Sequence, residues 1–215
     1  DNSATTRVDA QVQELMKKLM DVDFGNPSSR HQKGVVAEGY IKEARQKIAA
    51  TLKVDPKELI ITSGGTESNN MALIGTALAA KRKGNHIITT AVEHPSVKAT
   101  ASFLEEQGFR ITFLSVDSRG QISLEDLKEA LTPDTILVSI MYVNNEIGTI
   151  QPVEEAAKLV HATVPGAVFH VDAIQAYGKV MIRPKQQGID LLSVSSHKFH
   201  GPKGAGFLYC SSKVN

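Results

Sequence analysis

"VFHVDA", residues 168–173, carries the decision about the fold. Apolar side chains in it occur without clean in-and-out alternation, which suits a strand covered on both faces, as in a parallel sheet flanked by helices. Its end carries Asp172, and a carboxylate at the end of a buried strand needs a partner or a task. Six further runs have the same character: "ELIIT" from Glu58, "HIITT" from His86, "RITFLSV" from Arg110, "TILVSIMYV" from Thr135, "DLLSVSS" from Asp190 and "GFLYC" from Gly206. Between them, helical spacing of apolar residues predicts helices over Glu67 to Lys83, Ser96 to Gln107, Ser123 to Leu131 and Val153 to Thr163. This alternation predicts an α/β fold with three layers, α/β/α, around a mostly parallel sheet.

Upstream of the first strand the pattern is helical. Val8 to Met20 and Glu38 to Leu52 have apolar residues at helical spacing, separated by the polar, turn-rich "FGNPSSRHQKG". Residues 1–55 are therefore expected to form a helical arm and 56–215 the main domain. The 215 residues are 41% hydrophobic, enough for one sizeable core. The formal charge of +1 gives no global field toward nucleic acid or anionic lipid. Cys210 is the single cysteine, which excludes an internal disulfide and a cysteine-based zinc cluster and suits a reducing compartment. With no basic-then-apolar leader and no run long enough to cross a bilayer, a cytoplasmic location is expected.

Ligands of such sheets bind outside the carboxyl ends of the strands, so the chemistry is sought there. "SGGTESNN", Ser63 to Asn70, leads from a strand straight into a helix: two glycines allow close backbone approach, Thr66 offers a hydroxyl and an N-cap, and a helix N-terminus favours an anion. This reads as a phosphate cradle without the lysine of a P-loop or the spacing of a dinucleotide fingerprint. A plain glycine turn with a good cap explains the same residues. "EHPS", Glu93 to Ser96, places His94 at the same edge, with Pro95 set to start a helix. His94 could be a surface or capping residue, or could stack on a planar cofactor and shuttle protons. "NNEIGTIQP", Asn144 to Pro152, is either a polar turn whose amides satisfy the backbone or a source of hydrogen bonds to a ring substituent from Asn145.

"HKFHGPKG", His197 to Gly204, puts Lys198 at the end of another strand. A desolvated lysine has a depressed pKa and can form a Schiff base with a carbonyl; Lys198 and Asp172 could otherwise be a structural ion pair. Cradle, lysine and acid together are the three handles that pyridoxal phosphate requires, with Asp172 holding the pyridine nitrogen protonated. His197 and His200 have helical spacing, but Gly201 and Pro202 argue for a turn, so no metal site is expected.

In order along the chain, "DNSATT", "FGNPSSRH", "SGGTESNN", "EHPSV", "VNNEIGTIQP", "HVDAIQAYGK" and "SSHKFHGPKG" resemble the successive signatures of cysteine desulfurases, the NifS/IscS branch of the class V aminotransferases. The resemblance implies the large domain of a fold-type I pyridoxal 5'-phosphate enzyme. It also implies a homodimer that releases sulfur from L-cysteine, gives alanine and an enzyme persulfide, and supplies iron–sulfur cluster assembly or thiolation through a sulfur-acceptor or scaffold protein.

Position by position, the resemblance implies that Lys198 is the lysine joined to the cofactor and that His94 lies against the pyridine ring and assists proton transfer. Asp172 and Gln175 would contact the ring nitrogen and phenolic oxygen, with Asn145 near that oxygen and the substrate. Thr66, Ser195 and His197 would hold the phosphate, with Gly65 supplying backbone. The family's persulfide cysteine on a mobile downstream loop has no counterpart here. Cys210 reads as a packed thiol, so the sulfur step is not expected of these residues alone. Together with a substrate-carboxylate arginine and a phosphate ligand from the partner subunit, that loop would lie beyond Asn215. Another class V enzyme, such as a selenocysteine lyase or a small-amino-acid aminotransferase, and a non-catalytic cofactor-binding fragment are the alternatives.

Overall fold

The computed structural model describes residues 1–214. In chain order the helices are α1 (Ala10–Asp21), α2 (Gln32–Leu52), α3 (Gly65–Ala80), α4 (Pro95–Glu106), α5 (Leu124–Ala130), α6 (Val153–Thr163) and α7 (Pro184–Gln187). The strands are β1 (Leu59–Thr62), β2 (His86–Thr90), β3 (Arg110–Leu114), β4 (Thr135–Met141), β5 (Val168–Asp172), β6 (Leu191–Ser195) and β7 (Gly206–Cys210). All seven runs singled out in the sequence are strands of one sheet, in the order β1-β7-β6-β5-β4-β2-β3. Neighbours among β6, β5, β4, β2 and β3 are parallel, and β7 runs antiparallel to both β6 and β1.

The absence of alternation in the strands has its physical cause in two cores. Ile87, Leu137, Leu191 and Leu208 pack with Leu73 and Ala77 of α3 and Val97 and Leu104 of α4. Their sequence neighbours Ile88, Val138, Leu192 and Tyr209 point the other way, toward Leu127 of α5, Val153, Ala157 and Val160 of α6, and Leu52 of α2. Successive strand residues face opposite sides, so both must be apolar when helices cover both sides. The three-layer α/β/α arrangement follows directly.

The register of the central strands is also fixed by polar contacts. His170 of β5 lies fully buried between Ser139 Oγ of β4 at 2.8 Å and Ser193 Oγ of β6 at 2.9 Å. Burial pushes its imidazole down to about 3. A slip of one residue would break both bonds and turn Asp172 to the other face. By contrast, α1 has no buried residue, and α2 buries Gly34, Ala37, Ala49 and Leu52.

Candidate active site

The carboxyl ends of β1, β2, β4, β5 and β6 open into one cleft of about 420 Å³. Gly65, Thr66, His94, Asn145, Asp172, Gln175, Ser195, His197 and Lys198, all nine residues singled out in the sequence, line it. They come from five strand ends: Gly65 and Thr66 after β1, His94 after β2, Asn145 after β4, Asp172 and Gln175 at β5, and Ser195, His197 and Lys198 at β6.

At the β1 end, the sequence expectation that Thr66 caps the helix is corrected. Gly64 is the N-cap of α3, with φ of +150°, and no side chain caps the helix. Gly65 is the first helical residue, so Thr66 already lies in the first turn. Among the described residues, the N–H groups of Gly65, Thr66 and Glu67 have no protein acceptor, and the first backbone bond of the turn is Ser68 N–H to Gly64 C=O at 3.1 Å. Open donors at a helix N-terminus are what an anion needs. Gly65 is required by packing, since a Cβ there would run into the Ile174 side chain.

Asp172, 4% exposed, lies at the end of β5. Its Oδ1 accepts from Ile174 N–H at 3.0 Å and its Oδ2 from the Asn69 amide at 2.9 Å. Burial pushes its carboxyl up; those hydrogen bonds and the charges of His94 and Lys198 only partly offset this. Each oxygen keeps room for another donor. Such an acid fits a cationic N–H placed in the cleft.

Lys198 is on a single helical turn, Ser196–Lys198, directly after β6. Its Nζ donates to Ser3 C=O at 2.5 Å and Ala4 C=O at 2.8 Å, and it makes no ion pair with Asp172 among the described residues. Desolvation lowers its pKa, with the charge of Lys179 acting in the same direction. Gln175 donates to the same Ser3 carbonyl at 2.7 Å. His197 Nδ1 lies 3.2 Å from Thr5 Oγ1, and burial lowers its imidazole. The chain's first residues therefore close the lysine side of the cleft, bound by Thr6 N–H to His197 C=O at 2.8 Å. Nothing local in "DNSATT" signals this contact.

The adjacent amides of "VNNE" divide two tasks. Asn144 is buried and structural: its Oδ1 accepts from the N–H groups of Glu146 and Ile147, and its Nδ2 donates to Val92 C=O at 3.1 Å. Asn145 faces the cleft, its amide on Glu146 Oε1 at 2.7 Å. His94 is both the N-cap of α4 and a wall of the cleft. Cys210 ends β7 opposite Leu191, the first residue of β6, so the length of β6, about 13 Å, lies between it and the strand end that leads into Lys198. Burial pushes its thiol up.

Two buried groups behind the cleft were not anticipated. Asn69 is in the quoted "SGGTESNN", one turn beyond Gly65 on the same helix face, so the signal was present in the spacing. Glu93 Oε1 accepts from Thr90 Oγ1 and Met141 N–H, both at 2.8 Å, splicing β2 to β4, while its Oε2 has no partner. Burial, aided by the Asp172 charge, pushes the Glu93 carboxyl up to about 8. The folded protein thus keeps a proton that the unfolded chain loses near 4.5. Between those values the native state binds more protons, so the contribution is full at low pH and is lost as pH rises. Urea midpoints measured across that window should fall with pH in the parent and fall less in Glu93→Gln; equal slopes would show that Glu93 does not titrate there.

The aminotransferase class-V family model matches residues 1–215. Cysteine desulfurase IscS of Dictyoglomus turgidum is 50% identical over 209 residues, which are 97% of this chain and 52% of that protein. Cysteine desulfurase IscS of Methanosarcina thermophila is 49% identical over 214 residues, 100% of this chain and 52% of that one. A solved NifS-like protein superposes with a TM-score of 0.97 at 43% identity, covering 100% of this chain and 59% of its own. SspA, solved in complex with cysteine, gives 0.94 at 41%, covering 98% and 60%. The chain spans about half the length of the curated relatives it matches. With a sheet, a cleft and a family match that agree from end to end, the chain belongs to the class-V aminotransferase family.

Proposed function

We propose that this chain binds pyridoxal 5'-phosphate in the cleft and is the cofactor-binding part of a cysteine desulfurase, which releases sulfur from L-cysteine to a thiol as a persulfide and leaves alanine. The observation that carries the reading is the convergence of a desolvated lysine, a buried acid with spare acceptor capacity and an uncapped helix N-terminus on one cleft. The desulfurase names of relatives near 50% identity and the cysteine bound by SspA support the substrate.

Bound pyridoxal phosphate supplies an electron-accepting ring. The open N–H groups of Gly65 and Thr66, the Thr66 and Ser195 hydroxyls and His197 would hold its phosphate. The Asp172 carboxylate would keep a proton on the ring nitrogen, Gln175 and Asn145 would serve the ring oxygen, and His94 would lie against the ring. Lys198 Nζ is the group that would anchor the cofactor, and the same amine would serve as the base for the substrate's Cα proton. The thiol that receives sulfur is one other than Cys210, which is half-buried at the wrong end of the sheet. In the cell we place the protein in the cytoplasm as a homodimer, handing sulfur to an acceptor or iron–sulfur scaffold protein. Residues 56–215 make up the cofactor-binding domain in this reading, and 1–55 an arm whose first residues complete the site.

The full-length enzyme of which this chain would be the cofactor-binding part, supplied with pyridoxal phosphate and L-cysteine, should yield alanine in step with sulfur delivered to an added dithiol. Amino transfer to a keto acid without sulfur release would replace this reading with that of an aminotransferase.

A further inference from the structure

Behind the cleft, four side chains from α3, α4 and β5 form an unbroken line. The Asn69 amide nitrogen donates one hydrogen to Asp172 Oδ2 at 2.9 Å and the other to Ser96 Oγ at 3.0 Å. Ser96 Oγ lies 2.8 Å from His94 Nδ1, and the Ser96 backbone N–H donates to the same nitrogen at 3.1 Å. Asn69 is fully buried and its Oδ1 has no partner.

The polarity of this line follows from elementary donor and acceptor rules. A reversed Asn69 amide would set its oxygen against the Asp172 carboxylate, so the nitrogen must face it. Both amide hydrogens are then committed, and Ser96 Oγ, accepting one of them, has its own hydrogen left for His94 Nδ1. The backbone N–H of Ser96 can only donate, which independently makes Nδ1 an acceptor. In the neutral ring the proton therefore sits on Nε2, which has no protein partner among the described residues. Thr100 fixes the middle of the line, its single hydroxyl hydrogen shared between Ser96 C=O and Asn70 Oδ1, both at 2.8 Å.

We propose that Asn69 and Ser96 are positioning residues of this site: they tie the Asp172 carboxylate to the His94 ring and hold that ring in the tautomer with its proton on Nε2. The functional meaning rests on the cofactor reading given above. In this tautomer His94 offers the cleft a hydrogen-bond donor and no proton acceptor, so accepting a proton there falls to Lys198. Hydrogen-bond donor and proton acceptor are thereby assigned to different residues before any substrate arrives.

Protein with its histidine rings labelled with nitrogen-15, and with no cofactor added, tests this by long-range proton–nitrogen spectra, the His94 signals being identified from their loss in His94→Gln. The parent should show a hydrogen-bonded, unprotonated Nδ1 and a protonated Nε2. Ser96→Ala suits the helix and removes only the hydroxyl. It should raise the Nδ1-protonated minor form about fivefold, the weight of one ordinary hydrogen bond. Ser96→Thr should restore the parent signals. Identical ring-nitrogen signals in parent and Ser96→Ala would overturn the proposal. Failure of the parent to take up pyridoxal phosphate would instead overturn the cofactor reading, and the two results are obtained separately.

Discussion

Lys198→Ala is expected to abolish covalent capture of pyridoxal phosphate and to lower alanine formation from L-cysteine by the full-length enzyme by at least about 10⁴-fold, because in the proposed function one side chain is both the anchor and the mover of the Cα proton. The local geometry explains why no neighbour replaces it. Lys179, the other lysine at this side, has its Nζ on Gln175 Oε1 at 3.2 Å and does not line the cleft. Borohydride treatment followed by mass measurement is the direct check: the parent should gain one reduced cofactor on the peptide holding Lys198, and the variant none. Equal labelling of both proteins would move the anchor elsewhere and remove the basis of the site assignment. The fold should survive, since the Lys198 side chain bonds only to the Ser3 and Ala4 carbonyls.

Asp172→Asn is expected to leave cofactor uptake within about tenfold and to reduce turnover by roughly 10²–10³-fold, the scale for removing one preorganised electrostatic contact. The exchange is nearly isosteric, but an amide cannot stabilise a protonated ring nitrogen as a carboxylate does. Its oxygen can still accept from either Ile174 N–H or Asn69. The cofactor's absorption spectrum across pH is the discriminating readout, because the ring nitrogen should lose its proton at lower pH in the variant. An unchanged titration with unchanged turnover would assign Asp172 a purely structural part.

The fold was legible in the sequence because burial on both faces of the sheet demands apolar residues at consecutive positions, and Ile87–Ile88, Leu137–Val138 and Leu191–Leu192 advertise that demand. Helix starts were less legible. The helix expected from Glu38 begins at Gln32, inside a stretch whose glycine, proline and serine read as a break. His31 Nδ1 caps it by accepting from Gly34 N–H at 3.3 Å, and Gly34 is needed where a Cβ would meet the Ser29 carbonyl. The lining of the cleft was legible wherever its residues follow a strand, as with Asp172 and Lys198. It was illegible where chemistry depends on contacts between distant segments. Ser3 and Ala4 carry no sequence signal for their place over Lys198, and Glu93 looked like an ordinary polar residue before His94.

The tie between Thr6 and His197 also has a consequence for how the protein is born. It closes a loop of nearly the whole chain, so its entropic cost is met only after the sheet has brought the two segments near each other. A ribosome releases residues 1–7 early and residues 197–200 much later, and in between the opening segment has, among the described residues, only the Gln175 amide to bond to, through Ser3 C=O. The cleft is thus among the last parts of the molecule to mature. A nascent chain stalled before His197 should leave residues 1–7 open to protease, and one stalled well beyond β7 should protect them.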